Sequence, residues 1–271
     1  MASSFISETM LEMTWIEIKE AAEKDAVVLF PIGVVEEHGP HLTVSADIYL
    51  SYLVAREARK YLKQQGKESI IAPPFYWGIN GTTVKFPGSF VVSRQTMTAM
   101  LIELHMSLRN WGFRKIVDIP GHGETDHLLA IEDALKTVYE KTGEGVYMVL
   151  PTFMAEKAGV KKSPYTVLVD VPALSSEDPD AYLDIHAGAL EVSPMLHFFP
   201  DIVNMEILKT LKPTSLTLKD YRLWEEGGEF FDSTSPLGYA GDPASANPEL
   251  GRVMIETFVE ESVRIMMDKL R

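Results

Sequence analysis

The sequence contains no cysteine. Disulfides and thiolate metal sites are therefore excluded, and any bound metal must be held by imidazole and carboxylate. Basic residues are scarce as well: 25 Lys and Arg stand against 39 Asp and Glu, a formal net charge of −14. A field of that sign repels polyphosphate and anionic lipid, so neither nucleic acid nor a membrane surface is an expected partner. No apolar run approaches the length of a membrane span. The opening MASSFISETMLEMTW lacks a basic start followed by an apolar stretch, so no secretory leader is expected and a cytoplasmic protein fits.

What is present suits a packed enzyme-sized core. The chain has 271 residues, 46% of them hydrophobic, enough for one α/β domain spanning 1–271. There is no internal repeat, low-complexity tract or clear linker. Thr14 with Glu17 three residues later forms a capping-box signal for a helix to about Lys24. The continuous apolar run at 26–32 predicts a strand buried on both faces. Helices follow at about 46–64, from the Ser93 cap to Asn110, and at 125–141, with strands at 69–72, 115–119 and 146–150. Beyond that Pro164, Pro172 and Pro179 mark loops, a helix starts near Ala187, and a last amphipathic helix covers 248–270. Strands alternating with helices predict a three-layer α/β fold: a mostly parallel sheet with helices on both faces.

Chemistry-bearing residues fall where such a sheet binds ligands, outside the carboxyl ends of its strands. Glu36-Glu37-His38-Gly39-Pro40-His41 follows the first strand, and Gly121-His122-Gly123-Glu124 follows the 115–119 strand. Glu36 and His38 lie two apart, so an extended segment turns them the same way, and His122 and Glu124 repeat that spacing. Asp47 opens the next helix, and its two oxygens could bridge two cations. Each signal also has a plain reading: Glu-x-His in a loop is often surface chemistry, and Asp at a helix start is often only a cap. Spacing alone leaves both open.

The segment PIGVVEEHGPHLTVSADIYL resembles the signature of the creatininase family, in which Glu-x-His-Gly-Pro-His-Leu leads to an Asp nine residues after the first His, here Asp47. GHGE at 121–124, HAGALEVS at 186–193, FPGS at 86–89 and GYAGDPASANPELG at 238–251 are similar to further family motifs and occur in the same order. The resemblance implies a creatininase-like fold, two divalent ions (Zn or Mn, with Fe or Co also accepted by such ligands) and a homo-oligomer, often a hexamer. Carried over by position, Glu36, Asp47 and His122 would hold one ion, and His38, Asp47 and Glu124 the other. His186 would move the proton, and Glu191 would lie behind it and orient the site. The implied activity is hydrolysis, by water activated between the ions, of a C–N bond other than a peptide bond in a small cyclic amide.

Departures bear on substrate. Where many members carry Gly-x-Ser-x-Glu-His before Phe-Pro-Gly, this chain has Gly78-Ile79-Asn80-Gly81-Thr82-Thr83, and Tyr182 and Met154 stand in the regions of creatininase pocket tryptophans. Creatinine itself is therefore not expected. Asn80, Thr82 and Thr83 would offer hydrogen bonds to a hydroxylated ligand, and Trp77 either faces substrate or belongs to the core. Alternatives are C–C ring opening of an inosose-type diketone, a formamide or peptide-trimming hydrolase, and a non-catalytic scaffold. His41 is expected to support a ligand rather than bind metal. His105 is expected to be structural, and His127 to pack or cap as readily as to act in catalysis. Glu37, usually Gln in the family, is expected to face solvent or a neighbour. The Gly-Asp-Pro stretch is expected to be a structural turn, and the acidic run 224–229 a solvated loop or oligomer contact.

Overall fold

The computed structural model describes residues 4–171, 178 and 180–270, so the loop markers Pro172 and Pro179 lie outside the described residues. The elements are α1 (Trp15–Glu23), β1 (Val27–Ile32), α2 (Ala46–Gln64), β2 (Ser69–Ile71), α3 (Arg94–Asn110), β3 (Lys115–Pro120), α4 (Thr125–Thr142), β4 (Val146–Pro151), α5 (Thr152–Ala158), β5 (Thr166–Val169), α6 (Ala189–Phe198), α7 (Met205–Leu208), α8 (Tyr221–Glu226), α9 (Gly228–Thr234) and α10 (Pro248–Met266). Five strands form one parallel sheet in the order β2-β1-β3-β4-β5.

Side-chain alternation along β1 explains the layers. Val27 and Leu29 join a core with α2, α6 and α10, while Val28, Phe30 and Ile32 join a second core with α3 and α4. All six β1 residues are buried, which is why the run reads as continuously apolar. The α1 capping box is formed: the Thr14 side chain accepts from the Glu17 N–H and the Glu17 side chain accepts from the Thr14 N–H. A third, smaller core lies away from the sheet and joins Leu183, Leu216, Trp224, Phe231 and Ala240.

Three expectations change. Strand β5 and the short helix α5 escape sequence periodicity because each is brief and bounded by turn residues. The acidic run 224–229 is not a solvated loop. It forms the end of α8 and the start of α9, with Trp224 buried and its Nε1–H donating to Ser235 Oγ at 2.9 Å.

His105 is structural, as expected. On α3, its Nδ1–H donates to the Leu101 carbonyl at 2.7 Å, and its Nε2 lies 2.8 Å from Asp118 Oδ1 on β3, with both side chains fully buried. Removing one partner of such a pair strands the other in the core. His105→Leu should therefore cost about 3–5 kcal/mol of unfolding free energy, and His105→Leu with Asp118→Val should recover most of it, as read by urea denaturation.

Candidate metal centre

The sheet order reverses direction between β1 and β3, and the crevice at such a reversal is the natural ligand position. These strands pair through to Ile32 and Pro120, so the loops after them leave side by side. Helix α2 then docks its first turn onto both strand ends. A Cβ on Gly33 would lie 2.8 Å from the Asp47 carbonyl carbon, and one on Gly121 would lie 2.3 Å from the Asp47 backbone carbonyl oxygen. Only glycine permits that approach, and the approach carries Asp47 between the two loops.

The two oxygens of Asp47 divide between two imidazoles. Oδ1 is 3.1 Å from His38 Nε2, and Oδ2 is 3.0 Å from His122 Nδ1. Glu36 Oε2 stands 3.1 Å from the same His122 nitrogen. Backbone carbonyls fix both tautomers. His38 Nδ1–H donates to the Glu36 carbonyl at 3.1 Å, and His122 Nε2–H donates to the Ile79 carbonyl at 2.9 Å. Each ring thus turns its other nitrogen toward the carboxylates. Thr83 Oγ1–H donates to Glu36 Oε1 at 2.6 Å, and while His122 Nδ1 carries no proton the buried oxygens Glu36 Oε2 and Asp47 Oδ2 have no hydrogen-bond partner. Unpaired buried carboxylate oxygens converging with imidazole nitrogens fit a divalent cation, which would satisfy them all at once.

Among the described residues, three overlapping groups could hold an ion: Glu36, Asp47 and His122; His38, Asp47 and Glu191; and Glu36, His38 and His186. Without a cation, protons take its place. Burial disfavours charge on His38, but Asp47, Glu191 and Glu36 outweigh it and hold its pKa up at about 10. Burial likewise opposes the charge on His122, and Glu36 and Asp47 raise its pKa well above the ordinary imidazole value. Burial pushes the Asp47 carboxyl up, yet His38 and His122 hold it far below the usual carboxylate range.

A family profile described as creatinine amidohydrolase matches residues 11–266. The chain belongs to the creatininase family. It is 29% identical over 246 residues to the mycofactocin precursor peptide peptidase of Mycolicibacterium smegmatis, covering 90% of this chain and 84% of that one. It is 26% identical over 264 residues to the creatinine amidohydrolase of Pseudomonas putida, covering 92% of each. A crystal structure of creatininase shares the fold with a TM-score of 0.72 at 20% identity, covering 97% of this chain and 98% of that one. A manganese form of creatininase has a TM-score of 0.71, with 20% identity and coverage of 97% of this chain and 99% of that one. As a member of the creatininase family, the chain is a metal-dependent hydrolase.

Of the creatininase-like ligand set, Glu36, His38, Asp47 and His122 fall in groups able to hold an ion among the described residues, and Glu124 lies outside those groups but close enough to feel the charges of His122 and Glu36. The Glu124 carboxylate accepts instead from the Gly81 and Thr82 N–H groups at 3.0 and 3.4 Å. Glu191, expected behind His186, reaches the cluster itself, with Oε2 3.6 Å from His38 Nε2. The His186 ring lies 4.4 Å from the His38 ring, and its Nε2–H donates to the Glu37 carbonyl at 2.9 Å. Glu37 does not face solvent: it is buried, with Oε1 3.5 Å from His186 Nε2. His41 has the supporting role expected of it. Its Nε2–H donates to the Ala187 carbonyl at 2.8 Å, and burial lowers its pKa to about 4. His127 accepts from the Ile79 N–H at 3.3 Å and packs edge-on to His122 at 4.9 Å.

The side chains expected to meet substrate are largely occupied within the protein. Asn80 Nδ2–H donates to the Val35 carbonyl, Thr82 Oγ1–H donates to the Glu225 carbonyl, and Thr83 is spent on Glu36. Trp77 is 39% exposed and packs with Tyr76 and Phe90, and Tyr182 is 45% exposed. The aromatic ring packed beside His186 is that of Trp224, at 5.8 Å. Glu225, next along α8, accepts from both the N–H and the hydroxyl of Thr125 at 3.1 and 2.7 Å, so α8 is fastened to the loop that carries His122. Sequence reasoning missed Glu37, Trp224 and Glu225, because none carries a local signal of its distant partner. The Gly-Asp-Pro stretch is structural, as expected: Ala240 and His186 pair backbone to backbone, and the Asp242 N–H donates to Asp184.

At neutral pH, cation binding must expel the protons held on His38 and His122. Titration calorimetry with Zn²⁺ in buffers of different ionisation enthalpy should register release of about two protons per fully loaded chain. The affinity should rise with pH between 6 and 9, by roughly tenfold per unit for each proton expelled.

Proposed function

We propose that the chain hydrolyses an amide C–N bond in a small substrate other than creatinine, a cyclic amide first, using two divalent cations held across Asp47. The observation that carries this reading is the division of the Asp47 oxygens between His38 and His122, beside an unpaired Glu36 oxygen. When bound, such a pair supplies an acidified water and polarises the amide carbonyl.

The chain's own residues supply the rest. Carbonyl-fixed tautomers orient His38 and His122, and Thr83 fixes Glu36. His186 commits Nε2 to the Glu37 carbonyl, so Nδ1 is the nitrogen available to carry a proton to the leaving amine. The indole of Trp224 beside it excludes water from that side of the imidazole. Tyr182 and Met154 in place of the pocket tryptophans argue against creatinine. C–C ring opening of a polyol-like ketone draws less support, since Thr82 and Thr83 spend their hydroxyls within the protein and leave Asn80 Oδ1 as the unpartnered polar atom of the three.

A second reading, trimming of a short peptide, draws support from the 29% identity to the mycofactocin precursor peptide peptidase. Both readings need the same centre and break the same kind of bond. Screening the metal-loaded protein against cyclic amides, formamides and short peptides separates them, and absence of turnover on all three, with metal bound, would overturn the amide reading. On whichever amide is turned over, His186→Ala should lower kcat by about 10²–10⁴ with metal content unchanged. Unimpaired turnover in that variant would remove His186 from the proton transfer.

A further inference from the structure

We infer that His127 positions His122 for cation binding by holding the backbone of Ile79, the residue whose carbonyl fixes the His122 tautomer; the inference rests on the reading of His122 as a cation ligand. Ile79 stands between two imidazoles. Its N–H donates to His127 Nδ1 at 3.3 Å, and its carbonyl accepts from His122 Nε2–H at 2.9 Å. Ile79 is buried, so both of its backbone groups must find partners inside the protein. An N–H can only donate, so His127 Nδ1 is unprotonated and the ring carries its proton on Nε2. With Nε2–H committed to a fixed carbonyl, His122 aims Nδ1 at Glu36 Oε2 and Asp47 Oδ2, 3.1 and 3.0 Å away. A shift of Ile79 would swing that nitrogen off line.

Several contacts are shaped around this approach. His127 lies fully buried in the first turn of α4. A Cβ on Gly78 would come within 2.5 Å of two atoms of the His127 ring, so only glycine lets the ring reach the segment. The Gly78 carbonyl accepts from the Val92 N–H at 3.0 Å, which holds the segment from its other side. The His127 and His122 rings meet edge to face with centroids 4.9 Å apart. Choosing an imidazole here is costly, because Nε2, which carries the proton, is buried without a hydrogen-bond partner among the described residues. An apolar side chain would pack in the same place without that cost, so packing alone does not account for the residue. What the imidazole adds is an acceptor for the Ile79 N–H. His127 is therefore a positioning residue that acts on His122 through Ile79.

Two substitutions separate the acceptor from the ring. His127→Asn puts an amide oxygen where Nδ1 stands and gives up the ring, whereas His127→Phe keeps a ring against His122 and gives up the acceptor. In the full chain, calorimetry with Zn²⁺ reads affinity, the visible spectrum of the Co²⁺-loaded protein reads ligand geometry, and thermal melting of the metal-free protein reads the fold. His127→Phe should weaken Zn²⁺ binding about 10–100-fold and shift the Co²⁺ bands. His127→Asn should stay within about threefold of wild type and keep the wild-type bands, even where it melts at a lower temperature. Wild-type affinity in His127→Phe refutes the inference. So do equal losses in the two variants, which would make ring packing the contribution. Should His127→Phe fail to fold, His127→Asn alone decides, because the inference requires it to bind Zn²⁺ as wild type does. Each of these adverse results leaves the ligand reading of His122 standing. A wild-type chain that binds no Zn²⁺ overturns that reading and the inference with it.

Discussion

The carboxylate of Asp47 lies between His38 and His122, one oxygen to each, in a fully buried setting. A buried carboxylate held this way is costly unless positive charge meets both oxygens, and His38 and His122 supply it as protons when no cation does. Everything around the centre serves that placement. Gly33 and Gly121 let α2 descend onto two strand ends, and the parallel pairing of β1 with β3 keeps those ends in register. The layered cores on both faces then make the strand ends rigid, which is what a ligand geometry requires.

Around the buried carboxylate lies a shell of backbone contacts. Four imidazoles donate to carbonyls: His38 to Glu36, His122 to Ile79, His186 to Glu37 and His41 to Ala187. Using the main chain as acceptor ties each ring's orientation to the fold rather than to another mobile side chain. The third core adds a cover built from α8 and α9, which sets Trp224 against His186 and fastens Glu225 to the start of α4. His186 and the side chains of the candidate metal centre thus come from different packed units and meet across the Glu37 carbonyl.

Much of this was legible in the sequence because it is local. Periodicity found β1, α2, α3, β3 and α4 to within a residue or two, since long amphipathic helices and wholly buried strands carry strong signals. Their alternation implied the three layers, and the two loops after β1 and β3 marked the site. The capping box at Thr14 and the structural role of His105 followed from local pattern as well. Short elements did not: β5 and α5 are too brief for periodicity to speak.

Local chemistry along the chain therefore determined the strand ends, the residue types offered there and the exclusion of thiolate ligands. Tertiary structure decided which side chains are free to act. It spent Thr82 and Thr83 on the protein, gave Glu124 to backbone N–H groups, turned Glu37 inward and brought Glu191 and Trp224 to the centre from far along the chain. The reason is physical: a buried polar group must be paired, and its partner is chosen by packing between segments that no spacing in sequence encodes.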